Sequence, residues 1–382
     1  MPDALRDEPP AGAGPDAPPD TTAAAPPAAP PIAAPADSGH PARRPSWLHA
    51  ALWSLVVLTA GVALGGAGYR LEHRYLIPAP RVERTAAGLR IEAQAGHELT
   101  GVALDGTRLL WQDGASIEYL DTRKAKILLL GPGAGMRTTW EPAVSDRFAV
   151  WFEAERQVSL AARMVVYDTV SGRRRTLGDV GSVRSFPALS GDLAVWCSAV
   201  RLGHPRILGA RVGGGGQLIP MADGDGAPVV SGGLVAWAAG WTGPFYAEEV
   251  ASGTRWPVTA SLTDGRLTGL ALSGRTLVWG QESKESGSGV VAAVDVDGGS
   301  QQTVASGIKG LVGPSFDGST VVWAEKTTHG TRVMARRLGG PAVEVSRWPG
   351  AITGVAVSGA SVAWIERDQG VWYTIEVRSL PR

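Results

Sequence analysis

The chain contains one cysteine, Cys197, in 382 residues. That excludes an intrachain disulfide framework and a cysteine-rich metal centre. Its apolar setting, LAVWCSAV, marks the thiol as a small buried hydrophobe and not a nucleophile. Histidine is equally sparse: among His40, His49, His73, His97, His204 and His329 no two stand at metal-ligand spacing, so no metal site is expected. Net charge is missing too, with 36 basic side chains against 36 acidic ones. No overall field therefore draws the protein onto nucleic acid. No nucleophile elbow and no phosphate-binding loop occur. GPGAGM at 131–136 and ESGSG at 285–289 are rich in glycine but lead into no helix. No cofactor is implied.

Phenylalanine and tyrosine are scarce, at 5 and 6, whereas there are 14 tryptophans and 51 glycines. That imbalance points to one aromatic position repeated between many tight turns. Aligned on Trp, the chain yields ALDGTRLLW, AVSDRFAVW, ALSGDLAVW, VVSGGLVAW, ALSGRTLVW, SFDGSTVVW and AVSGASVAW. These end at Trp111, Trp151, Trp196, Trp237, Trp279, Trp323 and Trp364. Repeats every 40 to 45 residues suit four-stranded propeller blades and are too long for leucine-rich or ankyrin units.

Each segment has a physical logic. Five residues before Trp stands glycine, with Asp146 the one departure, preceded by Ser or Asp, the chemistry of a two-residue hairpin turn. The strand after the turn ends in consecutive apolar residues such as AVW, so it must be buried on both faces, as between neighbouring blades. Eight residues before Trp the side chain is small (Ala103, Ala143, Ala188, Val229, Ala271, Ser315, Ala356), and ten before it four are glycine (Gly101, Gly269, Gly313, Gly354). Period two would put both positions on one crowded face beside an axis. A third and a fourth strand follow each Trp, except that after the last repeat the fourth is missing. RIEAQ at 90–94 is expected to supply it and close the ring. The expectation is an all-β, seven-bladed β-propeller over residues 90–382.

Before it, residues 1–46 are Pro- and Ala-rich and read as a disordered tail. Residues 47–68, WLHAALWSLVVLTAGVALGGAG, carry no Asp, Glu, Lys or Arg. At ~1.5 Å per residue they span roughly 33 Å, enough for a single membrane helix. Residues 69–89 read as a short stiff linker. Arg70, Arg74, Arg81 and Arg84 outnumber Arg43 and Arg44 across that segment, which favours a cytoplasmic propeller. The habit of bacterial chains with one N-terminal anchor and a large β-domain favours an extracytoplasmic one, and we take that orientation.

The segments resemble the TolB-like propeller superfamily, and more closely the bacterial and archaeal cell-surface repeats written P-x-h-S-G-x-x-h-V-W. The likeness covers residues 95–382, with Pro142, Pro187, Pro228 and Pro314 on the leading proline. It implies a scaffold that binds partners, in a superfamily whose members also accompany peptidase domains; no such domain is expected here.

The inner-strand positions are small, with Glu141 and Ser315 as the chief polar exceptions. Carboxylates two residues beyond Trp (Asp113, Glu153, Glu325, Glu366) offer either a cation-binding ring or local hydrogen bonding where strands leave the core. Recognition is expected on the variable loops after the Trp strands. There Trp241, Phe245 and Tyr246, with Arg201, His204 and Arg206, form the candidate contact patch, since aromatic and arginine side chains dominate binding energy. The expected function is a non-catalytic propeller, anchored through residues 47–68, that binds a protein or cell-envelope polymer. The alternatives are a glycan-directed enzyme built around Glu141 and a cytoplasm-facing sensor.

Overall fold

The computed structural model describes residues 79–93, 98–131, 137–138, 142–155, 162–199, 204–240, 242–260, 262, 265–368 and 372–381. The expected tail and membrane segment, 1–46 and 47–68, lie outside them. Among the described residues no helix is long and apolar enough to cross a membrane.

Each of the seven repeat tryptophans lies on the second strand of an antiparallel sheet, and the described residues form seven such sheets, numbered here as blades 1 to 7 in chain order. The Trp strands Phe148–Ala154, Leu193–Ala199 and Leu234–Ala238 are buried at every residue. A strand covered on both faces needs no polar alternation, which is why three apolar residues in a row precede the indole. All seven indoles are at most 2 % exposed. The innermost strands touch in sequence from blade 1 round to blade 7 and back to blade 1, so the ring is closed.

Closure is made in blade 7. Its order runs Arg81–Thr85, Gly88–Ala93, Trp372–Ser379, Ser361–Asp368, Ala351–Ser358. Gly88–Ala93 pairs antiparallel with Trp372–Ser379, Ile91 opposite Ile375. The strand expected from RIEAQ thus seals the ring, beginning two residues earlier. One part of the expected linker is not linker: Arg81–Thr85 adds a fifth strand outside it. Val82 packs against the core shared with blade 1. Arg84 donates from Nη2 to the carbonyls of Thr122 and Arg123, each at 2.9 Å. The polar alternation of R-V-E-R-T is that of an edge strand facing water.

Two further features were hidden. A β-bulge interrupts period two along these inner strands: it falls across the glycine in blades 1 and 6, but before it in blades 5 and 7, where Gly269 with Ala271 and Gly354 with Ala356 stay in step. In blade 1 the register steps from Thr100 opposite Gln112 to Ala103 opposite Leu110, and similar shifts fall in blades 5, 6 and 7. The crowding is nevertheless there: a Cβ on Gly269 would lie 2.6 Å from the carbonyl carbon of Gly313 in the next blade. The Ser of the Ser-Gly turn also bonds across blades. The Oγ atoms of Ser190, Ser231 and Ser358 accept the N–H of Gly232, Gly274 and Gly106 at 2.9, 2.8 and 2.8 Å, and Ser145 Oγ donates to the Gly191 carbonyl at 2.6 Å.

The closing blade holds two buried carboxylates, Glu366 and Glu376. Burial pushes the Glu366 carboxyl up, Glu376 adds to it, and the indole N–H of Trp364, 2.8 Å away, works against it. A carboxyl raised in the folded state contributes stability that is present below its unfolded value and lost as pH rises through its folded value. Glu366→Gln keeps the acceptor for Trp364 without the charge. It is expected to flatten the fall in stability between pH 4.5 and neutrality, measured by urea denaturation at both; a steeper fall in the variant would contradict the assignment.

Candidate recognition surface

The inner strand of each blade starts at the face that carries the loops after the Trp strands, and there the seven repeats divide. Twelve to ten residues before Trp, blades 1, 5, 6 and 7 read Leu99-Thr100-Gly101, Leu267-Thr268-Gly269, Leu311-Val312-Gly313 and Ile352-Thr353-Gly354. The leading Leu or Ile is buried in all four. Blades 2, 3 and 4 read Thr139-Trp140-Glu141, Arg184-Ser185-Phe186 and Asp225-Gly226-Ala227. Three adjacent blades have exchanged an apolar plug and a glycine for charged, aromatic and small residues.

The backbone changes with them. In blade 3 the inner strand breaks into Ser182–Val183 and Ala188–Ser190. The break stays tied to the Trp strand: Arg184 N–H donates to the Cys197 carbonyl at 2.8 Å. Cys197 N–H donates to Ser185 Oγ at 2.9 Å, and that hydroxyl donates to the Phe186 carbonyl at 3.0 Å. Ser185 is buried, whereas Arg184 is exposed and Phe186 is 46 % exposed. In blade 4 Gly226 lies against the Ala238 carbonyl, where a Cβ would approach to 1.7 Å. Asp225 and Ala227 on either side are exposed. Pro187 and Pro228 come next in their blades, both buried. The outcome is a stiff rim at the axial mouth that presents Arg184, Phe186, Asp225 and Ala227 to solvent.

Cys197 lies beneath this rim. Its Sγ donates to the Gly224 carbonyl at 3.5 Å, across the connection from blade 3 to blade 4. The thiol is pushed up to about 11, chiefly by burial and then by Asp225, with Arg184 working against them, so both rim charges act on one atom.

The expected contact patch is divided. Phe245 is a core residue, fully buried with its ring 5.1 Å from that of Trp279, and leaves the candidate surface. Its aromatic character had suggested a loop tip, but the strand Phe245–Glu249 starts with it. Tyr246 is half-buried and stacks on Trp237 at 5.9 Å. His204 is exposed, and exposed Arg206 pairs with Asp223 at 2.9 Å. Arg206 stands opposite Ser198, one position from Cys197, so this pair lies outward of the rim in blade 3. Trp241 and Arg201 lie outside the described residues, as does Glu141.

The carboxylates beyond Trp resolve as local bonding. Trp151, Trp323 and Trp364 donate their indole N–H to Glu153, Glu325 and Glu366 at 2.8, 3.0 and 2.8 Å. Arg174 holds both Glu153 oxygens at 2.7 Å, and Arg332 reaches Glu325 at 2.6 Å. Asp113 accepts the Glu98 N–H at 3.2 Å. Among the described residues no three His, Cys, Asp or Glu side chains gather as metal ligands.

No protein-family model matches the chain, and no curated protein matches it in sequence. Solved structures do. The β-propeller domain of the Trilobed protease from Pyrococcus furiosus is 9% identical over 75% of this chain and 97% of that one, with a TM-score of 0.56. Oligogalacturonate lyase from Vibrio parahaemolyticus is 10% identical over 80% and 98%, at 0.56. TolB from Acinetobacter baumannii is 14% identical over 78% and 80%, at 0.42. The first two show that the chain shares the β-propeller fold. One neighbour is part of a protease and another is a lyase, so the fold leaves activity open.

Two outcomes test the rim. Ser185→Ala leaves the Cys197 N–H without its acceptor and is expected to cost about 1–3 kcal/mol in urea denaturation. Cys197 is expected to resist Ellman's reagent at pH 8 until the protein is unfolded; stoichiometric labelling of the native protein would count against its position.

Proposed function

We propose that this chain is a membrane-tethered, non-catalytic propeller that binds a protein partner through the loop-face mouth of blades 2, 3 and 4, on the extracytoplasmic side. The observation that carries the reading is the division of the repeats. In blades 1, 5, 6 and 7 the inner strand is sealed by a buried Leu or Ile and a glycine, whereas blades 3 and 4 present charge and an exposed aromatic ring, and the neighbouring blade 2 departs from the pattern in sequence. Departures scattered by drift would have no reason to be neighbours. A rigid ring carrying variable groups on one face is the arrangement recognition uses, since little ordering entropy is lost on binding. His204, Tyr246 and the Arg206–Asp223 pair would widen the same surface.

The tether reading rests on residues 47–68 and their lack of ionised side chains. The described chain enters at blade 7, and in a ring of seven blades 3 and 4 are the two farthest from it.

Three measurements bear on this. Deleting residues 47–68 is expected to move the chain from the carbonate-resistant membrane fraction to the soluble one. A reporter active only outside the cytoplasm, fused after Arg382, is expected to be active; silence there, with activity of a cytoplasm-only reporter, would favour the cytoplasmic sensor. A photo-crosslinking residue at Ala227 is expected to trap a discrete protein partner, while the same residue at exposed Val343 on the rim of blade 6 traps none. Equal capture from both positions would sink the assignment of the surface.

A further inference from the structure

We infer that the mouth takes an extended polypeptide segment that sets an acidic side chain against Arg184, an apolar one over Phe186 and a basic one against Asp225. This rests on the reading of the mouth as a protein-binding surface and names the chemistry of what it holds.

Arg184 and Asp225 occupy the same place in successive blades, twelve residues before Trp196 and Trp237. Both are exposed, and among the described residues neither the guanidinium nor the carboxylate has a hydrogen-bond or ion-pair partner, not even in the other. Several other exposed arginines are paired: Arg147 reaches Asp168 at 2.8 Å, Arg211 reaches Asp192 at 2.6 Å, and Arg206, on the same face and in the same blade as Arg184, reaches Asp223 at 2.9 Å. Two opposite charges near enough for both to act on the Cys197 thiol, yet not joined, are a gap in which a bridging ligand finds both partners waiting.

The sign pattern restricts that ligand. An anion alone meets Arg184 but is repelled by Asp225 and Asp223, which also disfavours an anionic lipid surface. A cation alone meets the reverse. A neutral glycan would cover both charges without neutralising either, and burying an unpaired charge is costly. A ligand with both signs and an apolar group between them satisfies all three positions, and a polypeptide segment is the ordinary carrier of that pattern. The backbone is prepared for it. The Ser185 bonds fix Phe186, Gly226 is wedged on Ala238, and Pro187 and Pro228 stiffen the chain at the inner side of the rim. Such preorganisation removes part of the entropic cost of binding.

The test is selection of random twelve-residue peptides, displayed on phage, against the full-length protein in detergent. Enriched peptides are expected to share an acidic and a basic residue flanking an apolar one. Synthetic versions are expected to bind Arg184→Glu at least about tenfold more weakly than wild type, as a like-charge contact predicts. Replacing the peptide's acidic residue by Lys is expected to restore binding to Arg184→Glu, which also shows that the variant is folded. Asp225→Arg should respond in the mirror sense. Enriched peptides whose affinity changes by less than about twofold in both variants would overturn the inference while leaving the protein-binding reading intact. So would a failure to enrich any peptide when the crosslinker at Ala227 still captures a partner. No enrichment and no adduct together would remove both.

Discussion

Everything in this structure depends on strands that have no solvent face. The segment ending in Trp is apolar on both sides, so a single blade left in water would expose as much hydrophobic surface as it buried. Each blade is stable only with a neighbour on either side, and a row of such blades has two raw ends unless it meets itself. The ring is thus a consequence of the strand. The hydrogen bonds between the Ser-Gly turns and the paired ends of the chain in blade 7 maintain that closure without creating the need for it.

The same constraint decides where variation is permitted. Where blades 5 and 6 meet, the inner strands are so near that glycine is required, a Cβ on Gly269 falling against the Gly313 backbone. Blades 3 and 4 escape by interrupting or shortening the inner strand at the loop-side mouth. Irregular backbone carries a polar debt, settled here by Ser185 standing in for a missing ladder carbonyl. Structure and recognition therefore occupy different sectors of one ring.

How much of this is legible in the residues depends on the range over which each signal acts. Seven matching segments reveal blade number and strand order, because turn chemistry and buried-strand composition are local. The closing strand is legible because the last repeat lacks a partner. Arg81–Thr85 is not, since a polar edge strand resembles a linker in composition. The cross-blade bonds of Ser190, Ser231 and Ser358 pass for turn chemistry alone, because hairpin preference already accounts for Ser-Gly. The bulges escape because period two assumes a regular strand. Phe245 is misplaced when counted with a loop that ends just before it. The rim goes unseen although its signal is present: four copies of a Leu/Ile-led tripeptide ending in glycine make Arg184-Ser185-Phe186 and Asp225-Gly226-Ala227 stand out, but only if the alignment is read for its exceptions as well as its agreement.

Closure by joining the two ends has a consequence for how the protein is made. Gly88–Ala93 is among the first strands of the ring to be synthesised, and its partner Trp372–Ser379 is the last. At ordinary translation rates the interval between them is on the order of tens of seconds. During that time the early strand has no sheet to join, and six blades accumulate with an uncovered flank at each end. The nascent chain must be kept from pairing with other nascent chains until its final segment emerges, so the yield of native protein is governed by whatever shields those flanks in the interval.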